Sequence, residues 1–378
     1  MPDNMERREV YLRYPHSRDI VFVLGAGASH PDGVPLQRQI LPLILSGEIR
    51  EINNSYLGKL VADFINHNYK YGTITDQYPR LEAVFGFLDY FIQQNESLSA
   101  EYPYSTLLAI KEALIKLIHY VVDLKSDKSS TYYHQFWEAI QKYNSNTSII
   151  TLNYDTLLEQ GFDFLFENFG YIDYSIPLMN YDKLHEKKRF TKWINPREPV
   201  EIEEGLHPVP IKILKIHGSL NWKYCNCCNQ ILLTPWDKKI DLQQGKFLGY
   251  TYPEKTEYEY NCPLDGTDFQ TLIMPPSNIK TLTHPVISQL LSEASREIRS
   301  TKKIVFFGYS LSDGDVHIKA LFQKNLEDDV KIYVVNSRLG KKMKLRFRSL
   351  HNNVEFVESP FEEVVKDQEL LERLLSKE

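Results

Sequence analysis

Four apolar, β-branched runs in this chain each end in a short segment of small or chemically capable residues. Residues 20–24 run into Gly25-Ala26-Gly27-Ala28-Ser29, and residues 149–152 into Asn153-Tyr154-Asp155. Residues 211–216 run into His217-Gly218-Ser219, and residues 304–307 into Gly308-Tyr309-Ser310. Runs this continuous predict strands buried on both faces, which is the pattern of a parallel sheet covered by helices. In such sheets ligands bind beyond the carboxyl ends of the strands. One glycine turn after a strand is commonplace, but four such strand ends in one chain point to a shared site.

Further strand-like runs at 271–274, 331–335 and 354–357 alternate with helical stretches and extend the same sheet. The expected fold class is therefore α/β, a mostly parallel sheet with helices on both faces, built from residues 1–54 and 145–378. Residues 55–144 change to helical spacing and read as a helical insertion. Leu81, Val84, Phe85, Leu88 and Ile92 share one helix face, Leu107, Ile110, Leu114, Leu117 and Tyr120 a second, and Phe136, Trp137 and Ile140 a third. After the first glycine turn, residues 36–45 predict a helix with Pro35 at its first turn and Pro42 kinking it. Residues 171–206 are polar and read as a long excursion. Residues 224–266 lack helical periodicity and read as a small irregular module, and residues 362–375 as one closing amphipathic helix.

A net charge of −6 argues against a dedicated duplex-binding protein, which presents a basic face. No run of about 18 apolar residues occurs, and the charged first 18 residues lack the apolar core of a signal peptide, so no membrane segment is expected and the default compartment is the cytoplasm. All four cysteines fall within residues 225–262, which suits a local metal site or its relic better than scattered disulfides.

Gly25, Ala26 and Gly27 let a backbone turn tightly and approach a pyrophosphate, with a helix start behind them to favour an anion. No Gly-Lys-Ser or Gly-Lys-Thr follows, and the third glycine of the oxidoreductase fingerprint is absent. Asn153 and Asp155, two residues apart, project to one side if the strand geometry persists; a helix cap for residues 156–164 is the competing role for Asp155. His217 is a proton carrier at a strand end, beside Gly218, which admits a close ligand. Gly308, Ser310 and Asn336 stand at two further strand ends, while Ser312 or Asp313 is expected to cap a helix at 316–322.

This set resembles the sirtuin superfamily, especially its bacterial NAD-consuming, sirtuin-like branch. Gly25-Ala26-Gly27-Ala28-Ser29 with Gly33-Val34-Pro35 and Arg38 is similar to the family's NAD-binding glycine motif. Thr151, Asn153, Asp155, Leu157 and Gly161 are similar to its Thr-Gln-Asn-Ile-Asp segment, and His217-Gly218 to its catalytic histidine pair. Gly308-Tyr309-Ser310 is similar to its Gly-Thr-Ser turn, and Asn336 to an adenosine-side asparagine. Leu152 and Leu36 depart from the pattern. Ile273-Met274-Pro275-Pro276-Ser277 stands where deacetylases carry Phe-Gly-Glu, which points away from protein deacetylation.

The resemblance implies a Rossmann-like domain with a degenerate zinc-ribbon-like module at 224–266, in which Cys225, Cys228 and Cys262 are joined by Asp265 or Cys227 if zinc is held. It implies NAD as substrate, hydrolysed to nicotinamide and ADP-ribose, in antiphage defence by NAD depletion. Asn153 would orient the ribose and the attacking water, His217 would handle the proton of a ribose hydroxyl or water, and Asp155 would stabilise positive charge or position the ribose. Gly25, Ala26, Gly27, Ser29 and Arg38 would hold the pyrophosphate, and Gly308, Ser310 and Asn336 the adenosine side. It further implies a separate HerA-type ATPase partner, homo-oligomerisation, and DNA reached only through that complex. Two rival readings remain: a module that senses NAD or ADP-ribose without turnover, and a nuclease using Asp155, Asp313 and Asp315.

Overall fold

The computed structural model describes residues 7–69, 78–166, 168–179, 192–196, 198–234, 239–247, 261–262, 264–277 and 282–377. The chain divides into two compact units. One comprises Met1–Asp32, Lys128–Ile216 and Thr283–Glu378; the other comprises Gly33–Asp127 and His217–Leu282. The division differs from the segments 55–144 and 224–266 drawn from the sequence. Parts of the expected excursion and of the cysteine module lie outside the described residues.

The first unit is built on eight strands: Arg18–Leu24 (β1), Thr147–Thr151 (β2), Gly170–Asp173 (β3), Trp193–Ile194 (β4), Val209–Lys215 (β5), Thr301–Phe307 (β6), Lys331–Asn336 (β7) and Val354–Glu358 (β8). Their order across the sheet is β8-β7-β6-β1-β2-β5-β3-β4, and all seven pairings are parallel. The fold is α/β, as expected. The chain starts in the middle of the sheet, builds outward through β2, then returns to the other side of β1 with β6. That reversal puts the carboxyl ends of β7, β6, β1 and β2 side by side, where open α/β sheets bind ligands.

Alternation along β6 explains the layers. Phe307 faces one side, with Phe22 stacked on it at 5.8 Å and Phe136 edge-on at 6.1 Å, while Phe306 faces the other, against Phe322 at 5.1 Å and Phe347 at 5.0 Å. Helix Thr131–Tyr143 therefore packs on the sheet, through Phe136 against Phe22 of β1 and Phe307 of β6. Residues 156–164 form only a single turn, Leu157–Gln160, then a 3₁₀ turn at Asp163–Leu165. The closing segment is two helices, Phe361–Val364 and Gln368–Leu375, the second capped by Asp367. β3 and β4, missed around the polar excursion, are short strands at one side of the sheet, with β4 on its edge.

The second unit holds helices Gln37–Leu45, Tyr56–Tyr69, Leu81–Gln94 and Tyr104–Ser126, with Pro42 accommodated inside the first. It also holds a three-stranded antiparallel sheet, Gln270–Ile273 beside Gly218–Tyr224 beside Ile231–Leu233. The run at 271–274 is thus a strand, but not of the parallel sheet. Gly218–Tyr224 was not expected; its polar residues Ser219, Asn221 and Lys223 masked a strand buried throughout. Among the described residues no helix is long and apolar enough to cross a membrane.

Helix Pro285–Arg299 is fixed to the sheet by buried charge. Glu297 pairs with Arg18 on β1 at 2.8 Å and with Lys212 on β5 at 2.8 Å. Burial alone would raise the Glu297 pKa, but the two cations outweigh it and hold the carboxyl below its ordinary 4.5. A depressed carboxyl stabilises the fold above the unfolded value and loses that contribution as pH falls through the folded one. Glu297→Gln should therefore cost about 3–5 kcal/mol near neutrality, read by urea unfolding. The gap to the parent should close as the pH drops below 4.5, where protonated Glu and Gln become near equivalents.

Candidate functional site

The turns after β1 and β6 pack backbone against backbone. Gly25 N–H donates to the Phe307 carbonyl at 2.9 Å, Gly27 N–H to the Gly308 carbonyl at 2.9 Å, and Gly308 N–H to the Val335 carbonyl at 3.0 Å. A Cβ on Gly25 would lie 2.7 Å from Tyr309 Cα, and one on Gly27 2.7 Å from Gly308 Cα. Gly308 adopts φ +60°, and its own Cβ would meet Gly27 at 2.4 Å. These glycines are demanded by each other before any ligand is considered. The helix behind the turn is only Ala26–Ser29, too short to lend the dipole expected from the sequence.

Asn336, at the end of β7, donates from Nδ2 to the Tyr309 carbonyl at 3.2 Å and so ties a third strand end to the same turn. Ser310 is exposed beside it. Neither Ser312 nor Asp313 caps the next helix, Val316–Asn325, whose N-cap residue is Asp315. Ser312 Oγ instead donates to Asp315 Oδ2 at 2.8 Å, as does Tyr309 OH at 3.0 Å. Asp313 is gripped by Lys342 and Arg346, whose hydrogen bonds hold its pKa at about 2. Among the described residues Asp155, Asp313 and Asp315 form no joint cation-binding group.

Ser29, expected on the pyrophosphate side, has no exposed surface, and its hydroxyl is the hub of a polar cluster. Asn153 Nδ2 donates to Ser29 Oγ at 3.0 Å and to the Gly25 carbonyl at 3.0 Å. Tyr133 OH lies 2.9 Å from Ser29 Oγ, and Asp155 hydrogen-bonds Ser29 as well. The Gly25 carbonyl can only accept, so the amide end of Asn153 must face it, and none of these bonds uses the carboxamide oxygen.

Asp155 is not the N-cap of Leu157–Gln160, a position held by Thr156. Its Oδ1 accepts from Leu157 N–H at 3.2 Å, a turn-forming bond, while its carboxylate belongs to the cluster. Burial raises its pKa, and the nearby Lys215 ammonium opposes that rise. Lys215, the last residue of β5 and 1% exposed, donates to the Asp155 carbonyl at 2.5 Å and pairs with Glu159 at 3.0 Å; Glu159 also accepts from Tyr174 OH at 2.8 Å. Lys215 was legible as one of two cations, with Lys212, inside the apolar run 211–216. Tyr133, from a helix read as insertion, carried no signal.

His217 and Arg38 belong to the second unit. His217 is buried, and its carbonyl accepts from Met274 N–H at 2.8 Å; Arg38 is exposed on helix Gln37–Leu45. Gly218 has φ +86°, and a Cβ there would lie 1.9 Å from the Leu272 carbonyl oxygen. Pairing with Gln270–Ile273 is thus sufficient reason for this glycine.

Cys225, Cys228, Cys262 and Asp265 gather with their ligand atoms all within 4.8 Å of one another. Two tight turns present them: Asn229 N–H donates back to the Cys225 carbonyl at 3.0 Å and Gly266 N–H to the Cys262 carbonyl at 2.8 Å. The Cys228 and Cys262 sulfurs are 3.9 Å apart and Cys225 Sγ is 3.2 Å from Asp265 Oδ2, close to the edges of a tetrahedron around zinc. Cys227 is exposed and stands outside, so Asp265 is the fourth member. Burial and the neighbouring thiols push Cys262 up to about 12.

The glycine packing yields a test with an internal control. Gly27→Ala should destabilise by about 1–3 kcal/mol or more, whereas Gly86→Ala, in helix Leu81–Gln94 with no atom within 4 Å of the new methyl, should stabilise by about 0.4–1 kcal/mol. Denaturant midpoints of the two variants decide it.

No curated protein matches the chain. Among solved structures it is similar to a SIR2 homolog in complex with NAD, at 13% identity over 95% of this chain and 91% of that one, with a TM-score of 0.47. It is also similar to Sir2Tm bound to a propionylated peptide, at 13% identity over 93% and 91% of the two chains, with a TM-score of 0.42. The SIR2-like domain family matches residues 147–340, just over half of the 378 residues. The chain belongs to the SIR2-like domain family.

Proposed function

We propose that this protein is an NAD+ glycohydrolase that cleaves NAD to nicotinamide and ADP-ribose, acting as an effector of bacterial antiphage defence by NAD depletion. The observation that supports it is Asn153. It is a buried carboxamide at the end of β2, its nitrogen committed to Gly25 and Ser29 and its oxygen left by those bonds, in a chain of the SIR2-like family. A purely structural asparagine there would need no such fixed orientation.

In this reading the bond between nicotinamide nitrogen and ribose C1′ breaks with its electron pair leaving on nicotinamide. The oxygen of water bonds to C1′ and gives up its proton. The transition state has oxocarbenium character. Asn153 accepts from a ribose hydroxyl or the water. Asp155, the buried carboxylate beside Lys215, stabilises the developing positive charge. His217 takes the proton, a role that rests on the resemblance of His217-Gly218 to the family's histidine pair. Gly25, Ala26 and Gly27 line the phosphate side, and Gly308, Ser310 and Asn336 the adenosine side. Arg38 is assigned to the pyrophosphate on the same resemblance. The reading extends to a cytoplasmic homo-oligomer held silent until a HerA-type ATPase partner engages it, with DNA met only through that complex.

The four-ligand cluster fits a structural zinc held by Cys225, Cys228, Cys262 and Asp265, which would cross-link the two turns without entering the reaction. Purified chain should then carry about one zinc per chain. Cys262→Ser should lose it and Cys227→Ser should keep it, read by elemental analysis.

Activity is tested by nicotinamide release from NAD, with the chain alone and co-expressed with the ATPase. Asn153→Ala and His217→Ala should each lower kcat by at least about 100-fold at retained melting temperature. Undiminished release by both variants would overturn the reading; NAD binding without release in every preparation would favour a sensor.

A further inference from the structure

We propose that Tyr133 is a positioning residue for Asn153, acting through the hydroxyl of Ser29; the inference deepens the hydrolase reading above and rests on it for its kinetic arm. Ser29 Oγ has one proton to give and can accept twice. Asp155 hydrogen-bonds Ser29 as well. Asn153 Nδ2 can only donate, and does so at 3.0 Å. Tyr133 OH lies 2.9 Å from Ser29 Oγ, and the two hydroxyls share that hydrogen bond whichever of them donates. Tyr133 thereby holds the serine oxygen that receives Asn153 Nδ2. Ser29, held by Tyr133, and the Gly25 carbonyl thus fix the nitrogen end of one carboxamide, and its oxygen end is presented in a single orientation.

Several independent features hold the phenol where it is. Tyr133 is wholly buried, with its ring 5.3 Å from Phe361. Its backbone N–H donates to Ser130 Oγ at 3.1 Å, the cap of helix Thr131–Tyr143, and Ser130 Oγ donates on to Asp32 Oδ2 at 2.6 Å. Asp32 lies three residues beyond Ser29, so the start of this helix is tied to the same turn it serves. Opposite, Gly161 leaves room: a Cβ there would lie 3.0 Å from Tyr133 Cβ. A ring placed only for packing would not need its oxygen in this cluster, and phenylalanine would fill the same volume.

Tyr133→Phe keeps the ring on Phe361 and deletes the hydroxyl. It should lower kcat for nicotinamide release by about tenfold to a hundredfold, with KM within about twofold and the melting temperature within about 4 °C. On a Ser29→Ala background the same change should add nothing, since the two hydroxyls act as one unit. A measurement independent of activity follows the Asn153 side-chain amide by 15N NMR, assigned by its absence in Asn153→Ala. Its exchange with solvent should be roughly tenfold faster in Tyr133→Phe, the effect of losing one hydrogen-bonded partner. Parent-like kcat together with parent-like amide exchange in Tyr133→Phe would overturn the proposal. A parent chain that releases no nicotinamide in any preparation would sink the hydrolase reading instead. Amide exchange would then decide the positioning role alone: faster exchange upholds it, and unchanged exchange overturns it.

Discussion

The carboxyl edge of the sheet depends on two turns meeting with no side chain between them. Gly27 and Gly308 touch through backbone atoms and share a hydrogen bond of 2.9 Å, so β1 and β6 end at a common level. Any Cβ would wedge them apart, because interiors this dense cannot absorb even a methyl without moving their neighbours. Asn336 adds β7 to the same edge by holding the Tyr309 carbonyl. The glycine pattern is thus a statement about sheet assembly first, and only through that about what can lie beyond the strand ends.

Below this edge the fold spends polar groups where an apolar core would be simpler. Ser29, Tyr133, Asn153, Asp155, Glu159 and Lys215 are all buried. A buried charge is costly unless it is paired and hydrogen-bonded, and here Lys215 supplies both by taking the Asp155 carbonyl and the Glu159 carboxylate. The arrangement keeps a carboxylate and a carboxamide in fixed orientations at a strand end. The Arg18–Glu297–Lys212 group does a different job at the amino end of β1, where it locks a covering helix in place.

The strands were legible because each carries a run of Ile, Val or Phe too continuous for a half-exposed surface, and their ends were legible because glycine, asparagine and histidine interrupt those runs abruptly. Exceptions share a cause. Gly218–Tyr224 alternates apolar residues with Ser219, Asn221 and Lys223, whose burial depends on partners far along the chain. β3 and the edge strand β4 are short, and pairing, not composition, makes them strands. Asp313 looked like a cap and is an ion-pair partner, since Lys342 and Arg346 come from a helix some thirty residues on.

Sequence alone determined the α/β class, the parallel character of the sheet and the identity of Asn153 and Asp155 as strand-end groups, because periodicity and local punctuation are properties of neighbouring residues. Only the tertiary structure decided that Ser29 is buried, that Tyr133 reaches it from a helix a hundred residues later, that Lys215 neutralises the cluster and that Asp265 rather than Cys227 joins the cysteines. Each of these is a contact between distant segments. Hydrogen bonds and charge pairing act over a few ångströms of space whatever the separation along the chain, and strand order, which no local pattern encodes, sets which groups come that close.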